Sequence, residues 1–264
     1  MTALTVGGRA GAIASGDVVP VVASLPISLV GSPDDRPADL VAVDGVAGWP
    51  EQLRASLEDG TRGLVLVHPC PAPAGEVPDE TSVPVVVDYR FAGNPALPAA
   101  GKAFSGWSAD ALVELAAVVP DAGDLPETLV DQLATLRRMG LAAAEVSRLV
   151  WDGGGYYLLG STTGGSPILL SAHVTSGTSR SLQLRGLGAA VGVELTLPDP
   201  GTAQPAILVR TTPEGATTAP TLWETSHRAA WRRLTAAVTG VGPTSDLADL
   251  RADLAVARSV LPSP

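Results

Sequence analysis

The chain has 264 residues, 45% of them hydrophobic, and a mean hydropathy of +0.26. This excludes disorder as a description of the whole and leaves room for one large domain or two modest ones. The formal net charge of −10 opposes binding to a nucleic-acid backbone or an anionic membrane surface, and the single cysteine, Cys70, excludes an internal disulfide.

Gly, Pro or charge interrupts every apolar run before it reaches the length of a membrane span. The first residues lack the basic start and long apolar core of a signal peptide. Together with the lone cysteine, these features predict a cytoplasmic protein. Lys102 is the only lysine, so any chemistry that needs an amine has one candidate.

In chain order, residues 4–6, 18–24 and 27–30 read as short strands in a Gly- and Pro-punctuated start. Residues 38–71 form the clearest unit: a buried strand at 40–43, an amphipathic helix at 51–57 and a second buried strand at 64–67. This is a β-α-β crossover, and its second strand stops at the His68-Pro69 step, where doubly wound sheets place their sites. The run VPVVVDY at 83–89 reads as another parallel strand. Residues 92–106 read as irregular, followed by helices at 109–118 and 126–138. From about 142 the pattern becomes a meander of strands joined by DGGG and TTGG turns, with at least two more strands beyond. Two helices, 221–239 and 247–260, close the chain. The layout predicts two domains, residues 1–120 and 121–264.

This order resembles the Gfo/Idh/MocA family of NAD(P)-dependent oxidoreductases over roughly 38–261. The resemblance is carried by DLVAVDG with GWPEQLRASLEDG, by LVLVHP in place of a strand ending in Glu-Lys-Pro, by VPVVVDYRFAGNP, and by the two closing helices. It implies a fold of class α/β plus α+β: a truncated Rossmann-like parallel sheet, then an open antiparallel-sheet domain with helices. It also implies dimerisation through the open sheet, and so a homo-oligomer or a hetero-oligomer with a full-length paralogue.

The departures bear on function. The only candidate for the Gly-x-Gly-x-x-Gly phosphate turn is Gly7-Gly8-Arg9-Ala10-Gly11, short by one residue. Gly7, Gly8 and Gly11 are therefore the candidate cofactor-binding residues. No acidic residue stands clearly at a strand end for the ribose; Asp34 and Asp35 lie in a Pro-flanked turn. Aligning Pro69 with the family proline puts His68 at the catalytic lysine, a place where relatives like thiazolinyl imide reductases also carry histidine. Tyr89, at the next strand end, is the second catalytic candidate, since adjacent strand ends could bring its hydroxyl near His68. Asp88 and Arg90 flank it across the pleat as an exposed ion pair or turn partners. The family's Asp-x-x-x-His helix retains Asp131 without a histidine. His68, His173 and His227 have no metal-ligand spacing, so no metal site is expected.

The leading expectation is a degenerate, non-catalytic or partner subunit without a cofactor. The alternatives are a reductase of an imine or carbonyl intermediate, using NADP or NAD with His68 and Tyr89 as acids, and a small-ligand binding module.

Overall fold

The computed structural model describes residues 3–262 apart from 9–11, 13–17, 26, 33–37, 105–106, 108, 110, 203 and 242–244. Its first half is a parallel sheet formed by β1 (Leu4–Gly8), β2 (Leu29–Gly31), β3 (Leu40–Asp44), β4 (Gly63–Val67) and β5 (Val85–Asp88). Helix α1 (Val18–Ala23) lies between β1 and β2, and α2 (Trp49–Glu58) between β3 and β4. The strand order is β2-β1-β3-β4-β5, with every pairing parallel. The order reverses between β1 and β3, and the carboxyl ends of these strands form the edge where such sheets bind ligands. A full dinucleotide sheet carries a further strand outside β2; among the described residues none pairs there.

The uninterrupted apolar runs of β4 and β5 are buried at every position, as parallel strands covered on both faces require. Segment 18–24, expected as a strand, is helix α1. Val18 and Val21, three apart, face the sheet, and Pro20 in the first turn surrenders an amide that needs no partner. The stretch read as irregular contains helix α3 (Leu97–Phe104), whose Pro98 and Gly101 masked its apolar face of Leu97, Ala100 and Phe104.

The second half is an eight-stranded mixed sheet of order β13-β12-β11-β10-β6-β9-β8-β7. Its members are β6 (Leu112–Val119), β7 (Ala143–Asp152), β8 (Gly155–Thr162), β9 (Pro167–Val174), β10 (Ser181–Leu187), β11 (Gly192–Pro198), β12 (Ile207–Thr212) and β13 (Gly215–Thr218). Strand β6 overturns the helix expected at 109–118. LVELAAVV is apolar at nearly every position, so periods of 2 and 3.6 both fit it. Position decides: the segment sits between β10 and β9, antiparallel to one and parallel to the other, with alternate residues buried.

One face of this sheet is covered by helix α4 (Leu125–Arg138). From α4, the Gln132 side-chain amide donates to the carbonyls of Leu115 (3.3 Å) and Ser171 (2.8 Å) and accepts from the Tyr156 hydroxyl at 2.7 Å. The opposite face exposes Tyr157, Leu159, Leu187 and Ile207.

The closing helices are α5 (Ser226–Val238) and α6 (Leu247–Val260). Helix α5 returns to the first sheet, where Ala230, Trp231 and Leu234 pack with Val65, Val67 and Val86. The other face of that sheet, with Leu64, Leu66, Val85 and Val87, shares one core with the eight-stranded sheet. Among the described residues no helix is long and apolar enough to cross a membrane.

Candidate functional site

The site grows from the turn after β4. At the end of β3, the Gly45 amide donates to the Val67 carbonyl, and the Gly45 carbonyl accepts from the Cys70 amide, each at 2.7 Å. A Cβ on Gly45 would stand 2.4 Å from both Pro69 Cα and Val67 O, so only glycine lets the two strand ends approach this closely. The Trp49 indole donates to the Cys70 carbonyl at 3.0 Å and ties α2 to the same turn. Clamped this way, His68 takes φ +46°, the one left-handed non-glycine among the described residues. That conformation costs a β-carbon-bearing residue about 1 kcal/mol or more. The His68 amide donates to the Asp88 carbonyl at 3.0 Å, extending the ladder between β4 and β5 through the strained residue.

The pleat of β5 sorts its side chains. Val86 and Asp88 face α5, while Val87 and Tyr89 face the shared core. Asp88 and Arg90, expected at the surface, are instead part of a buried polar cluster. Asp88 is fully buried and accepts from His227 Nδ1 at 2.9 Å, where His227 rides on the first turn of α5. The Thr225 hydroxyl caps that helix by accepting from the Arg228 amide, and the Ser226 hydroxyl donates to the Arg90 carbonyl. The rings of His227 and His68 lie 4.9 Å apart, centroid to centroid.

Arg90 Nη2 stands 3.1 Å from His68 Nδ1. A guanidinium only donates, so Nδ1 accepts and the His68 proton sits on Nε2. Burial, then the neighbouring Arg90, His227 and Arg180, pull the His68 pKa well below its usual value, and the ring is neutral. Its Nε2–H is buried and meets no hydrogen-bond acceptor among the described residues.

Arg90 also reaches Glu127 of α4 at 3.5 Å. Burial raises the Glu127 carboxyl to about 7 against the opposing pull of Arg90 and Arg180. Asp131, one turn further along α4, accepts from the amides of Phe91 (2.8 Å) and Ala92 (2.7 Å), and burial lifts it to about 6. Both oxygens of the carboxylate matched to the family's Asp-x-x-x-His helix thus hold the loop after β5.

Tyr89 does not join His68. It lies on the other side of the pleat, buried, with the Arg138 guanidinium 5.4 Å from its ring centre, and its hydroxyl is surrounded by Asp253, Arg137, Arg138 and Asp246. Burial drives the Tyr89 hydroxyl pKa upward. His173 lies on the open sheet, where the Tyr157 hydroxyl and its Nε2 are 3.1 Å apart. Among the described residues no group of three or more His, Cys, Asp or Glu converges as metal ligands would.

Sequence reasoning missed His227 as a member of the site. The usable signal was Asp88 itself: a carboxylate closing an all-buried run such as VPVVVD must find a hydrogen-bonding partner.

At the other end of the sheet edge, Gly7 and Gly8 finish β1 and pair with Val41 and Ala42. A Cβ on Gly7 would stand 2.9 Å from Ala38 Cβ, so this glycine serves strand packing. Gly11, Asp34 and Asp35 lie outside the described residues. A cavity of about 450 Å³ opens beside β1, β2 and α1, walled by Val6, Val18, Val19, Val22 and Val30, with Ser32 at its rim. No charged side chain stands among its described walls. A pyrophosphate and ribose diols need converging amides or cations and a carboxylate, so the described lining does not fit that part of a dinucleotide.

No protein-family model matches the sequence, and no curated protein matches it. Solved structures do. The chain is similar to KijD10, a 3-ketoreductase from Actinomadura kijaniata solved with NADP and TDP-benzene, at TM-score 0.76 and 15% identity, covering 98% of this chain and 97% of that one. It is similar to the UDP-N-acetylglucosamine 3-dehydrogenase GnnA from Acidithiobacillus ferrooxidans at TM-score 0.71 and 13% identity, with the same coverage. An oxidoreductase from Sinorhizobium meliloti matches at TM-score 0.69 and 13% identity over the same shares. The two-sheet arrangement implied by the sequence is the one found, and nearly the whole chain shares the fold of these oxidoreductases.

Proposed function

We propose that this chain keeps an oxidoreductase fold without oxidoreductase chemistry and acts as a non-catalytic subunit. It would assemble through the exposed face of the eight-stranded sheet, with itself or with a full-length paralogue. The observation that carries this reading is the fate of His68. The residue aligned with the family lysine is neutral and buried, its Nδ1 is taken by Arg90 and its ring lies against His227. The carboxylate of Asp131 is occupied by two backbone amides, and the described walls beside β1 and β2 offer no charge to a dinucleotide.

The reading is tested by titrating NADPH and NADH to millimolar concentration while following nicotinamide fluorescence and the thermal midpoint. No response is expected; saturable binding with a micromolar Kd overturns it. His68→Ala should leave assembly with the partner intact.

One observation favours a second reading, a reductase of an imine or carbonyl intermediate that would take its hydride from NADPH or NADH. Glu127, held at about 7, sits beside the Arg90–His68 pair and is half protonated at neutral pH. His68 Nε2–H would then hydrogen-bond the substrate atom, and Glu127 would supply the proton. Tyr89 has no part in this version. Turnover of a cyclic imine or ketone that Glu127→Gln abolishes would establish it.

A further inference from the structure

Where the start of α6 docks on the edge of β5, three arginines converge on a cavity of about 390 Å³. Arg137 and Arg138 come from the last turn of α4, Arg233 from α5, and Asp246 and Asp249 from the start of α6; residues 92–95 form the rim. The charges are unevenly partnered. Arg137 is fully engaged, forking onto Asp253 with contacts of 2.8–3.2 Å and reaching Asp249 at 2.7 Å. Arg138 and Arg233 must share Asp246, which Arg233 holds closely and Arg138 reaches at 3.6 Å. That carboxylate already accepts from the Val87 amide at 2.9 Å, where it docks α6 on the sheet edge.

Two guanidinium cations therefore lean on one carboxylate whose capacity is partly spent. Arg233 Nη1 is buried and finds no hydrogen-bond acceptor among the described residues. A buried donor nitrogen of a charged group that meets no acceptor is costly to a fold. The Arg138 guanidinium also lies over the Tyr89 ring, which fixes its plane. Burial, and then the neighbouring Arg233 charge, lower its pKa against the opposing pull of Asp246. In a chain of net charge −10, three arginines here meet three aspartates on rigid elements, so the feature is the uneven sharing of Asp246 and not a net positive charge.

We propose that this cavity binds the phosphate group of a small phosphorylated metabolite, gripped between Arg138 and Arg233. Guanidinium forks match the paired oxygens of phosphate, and the tetrahedral group offers enough oxygens for two forks at once. The cavity is larger than a bare phosphate ion, which leaves room for the organic part against residues 92–95. The assignment is independent of whether the His68 cluster is catalytic.

The full chain is titrated with inorganic phosphate, ribose 5-phosphate and succinate at constant ionic strength, by calorimetry and thermal shift. Both phosphate probes should bind, the sugar phosphate more tightly, and Arg138→Gln and Arg233→Gln should each weaken binding about tenfold or more. Asp249→Asn, at an exposed carboxylate on the rim, should tighten it several-fold by removing a repelling charge. Inorganic phosphate alone binding, with no gain from the sugar, overturns the metabolite; succinate binding as tightly overturns the phosphate. No binding at millimolar probe, or binding unchanged in both arginine variants, overturns the site. If neither arginine variant folds, wild type and Asp249→Asn decide: equal affinities, or none, overturn it.

Discussion

At the carboxyl ends of β1 and β2 the described side chains are valines around a cavity, whereas at the ends of β4 and β5 the interior holds His68, Asp88, Arg90, Glu127 and His227. In a dinucleotide enzyme the first place grips the cofactor and the second does the chemistry. Here the second holds ionisable side chains, and the described lining of the first holds none.

Substitutions can break this contrast or sharpen it. The largest effect is expected from Asp88→Ala, which strips a buried histidine of its carboxylate and should cost on the order of 3 kcal/mol in urea unfolding. A loss under 1 kcal/mol would mean that the polar half is as dispensable as the apolar one.

Glu127→Gln tests the same half through pH. A carboxyl raised to about 7 in the folded state binds its proton more tightly there than in the unfolded chain, whose value is near 4.5. The folded state is therefore favoured most below pH 4.5, loses stability as pH climbs towards 7, and levels off above. Asp131, raised to about 6, acts in the same direction and titrates mostly below Glu127. His68, lowered, acts oppositely and adds stability only as pH rises towards 6.5. Arg90 and Arg180 face Glu127 and oppose the effect of burial on it. Between pH 6 and 7 the Glu127 contribution falls by on the order of 1 kcal/mol, so the difference in stability between wild type and Glu127→Gln should shrink by about that amount over this interval in chemical-denaturation curves.

At the apolar half the expected effects are smaller. Gly7→Ala should cost about 1 kcal/mol by crowding Ala38, and Ala38→Gly in the same chain should restore it. A phosphate-binding glycine would show no such rescue. Val30→Glu, on a half-exposed side chain, should change stability by no more than about 0.5 kcal/mol.

What the sequence made legible follows from the range of the forces involved. The runs 64–67 and 83–89 announce buried parallel strands through their own composition, and the His68-Pro69 step marks its strand end directly. Segment 109–118 misleads because its residues suit helix and strand alike, and the choice is made by β9 and β10, more than 50 positions away. Tyr89 and Asp88 exchange roles for a related reason. Which side of the pleat faces chemistry depends on where α5 lands, and the Asp88–His227 contact spans 139 positions. Local pattern reads the frame of such a site; its occupants are set by distant packing.

Helix α5 carries a consequence for synthesis. Translation has delivered every described strand of the parallel sheet by residue 88, but the helix that covers Val65, Val67 and Val86 begins only at Ser226. For most of its time on the ribosome the nascent sheet must carry a bare apolar face, the kind of surface that chaperones hold and that aggregates when left alone. Chains that stop short of Ser226 should therefore be insoluble, although they contain the whole of that sheet, and the N-terminal half should gain its protection from proteolysis last.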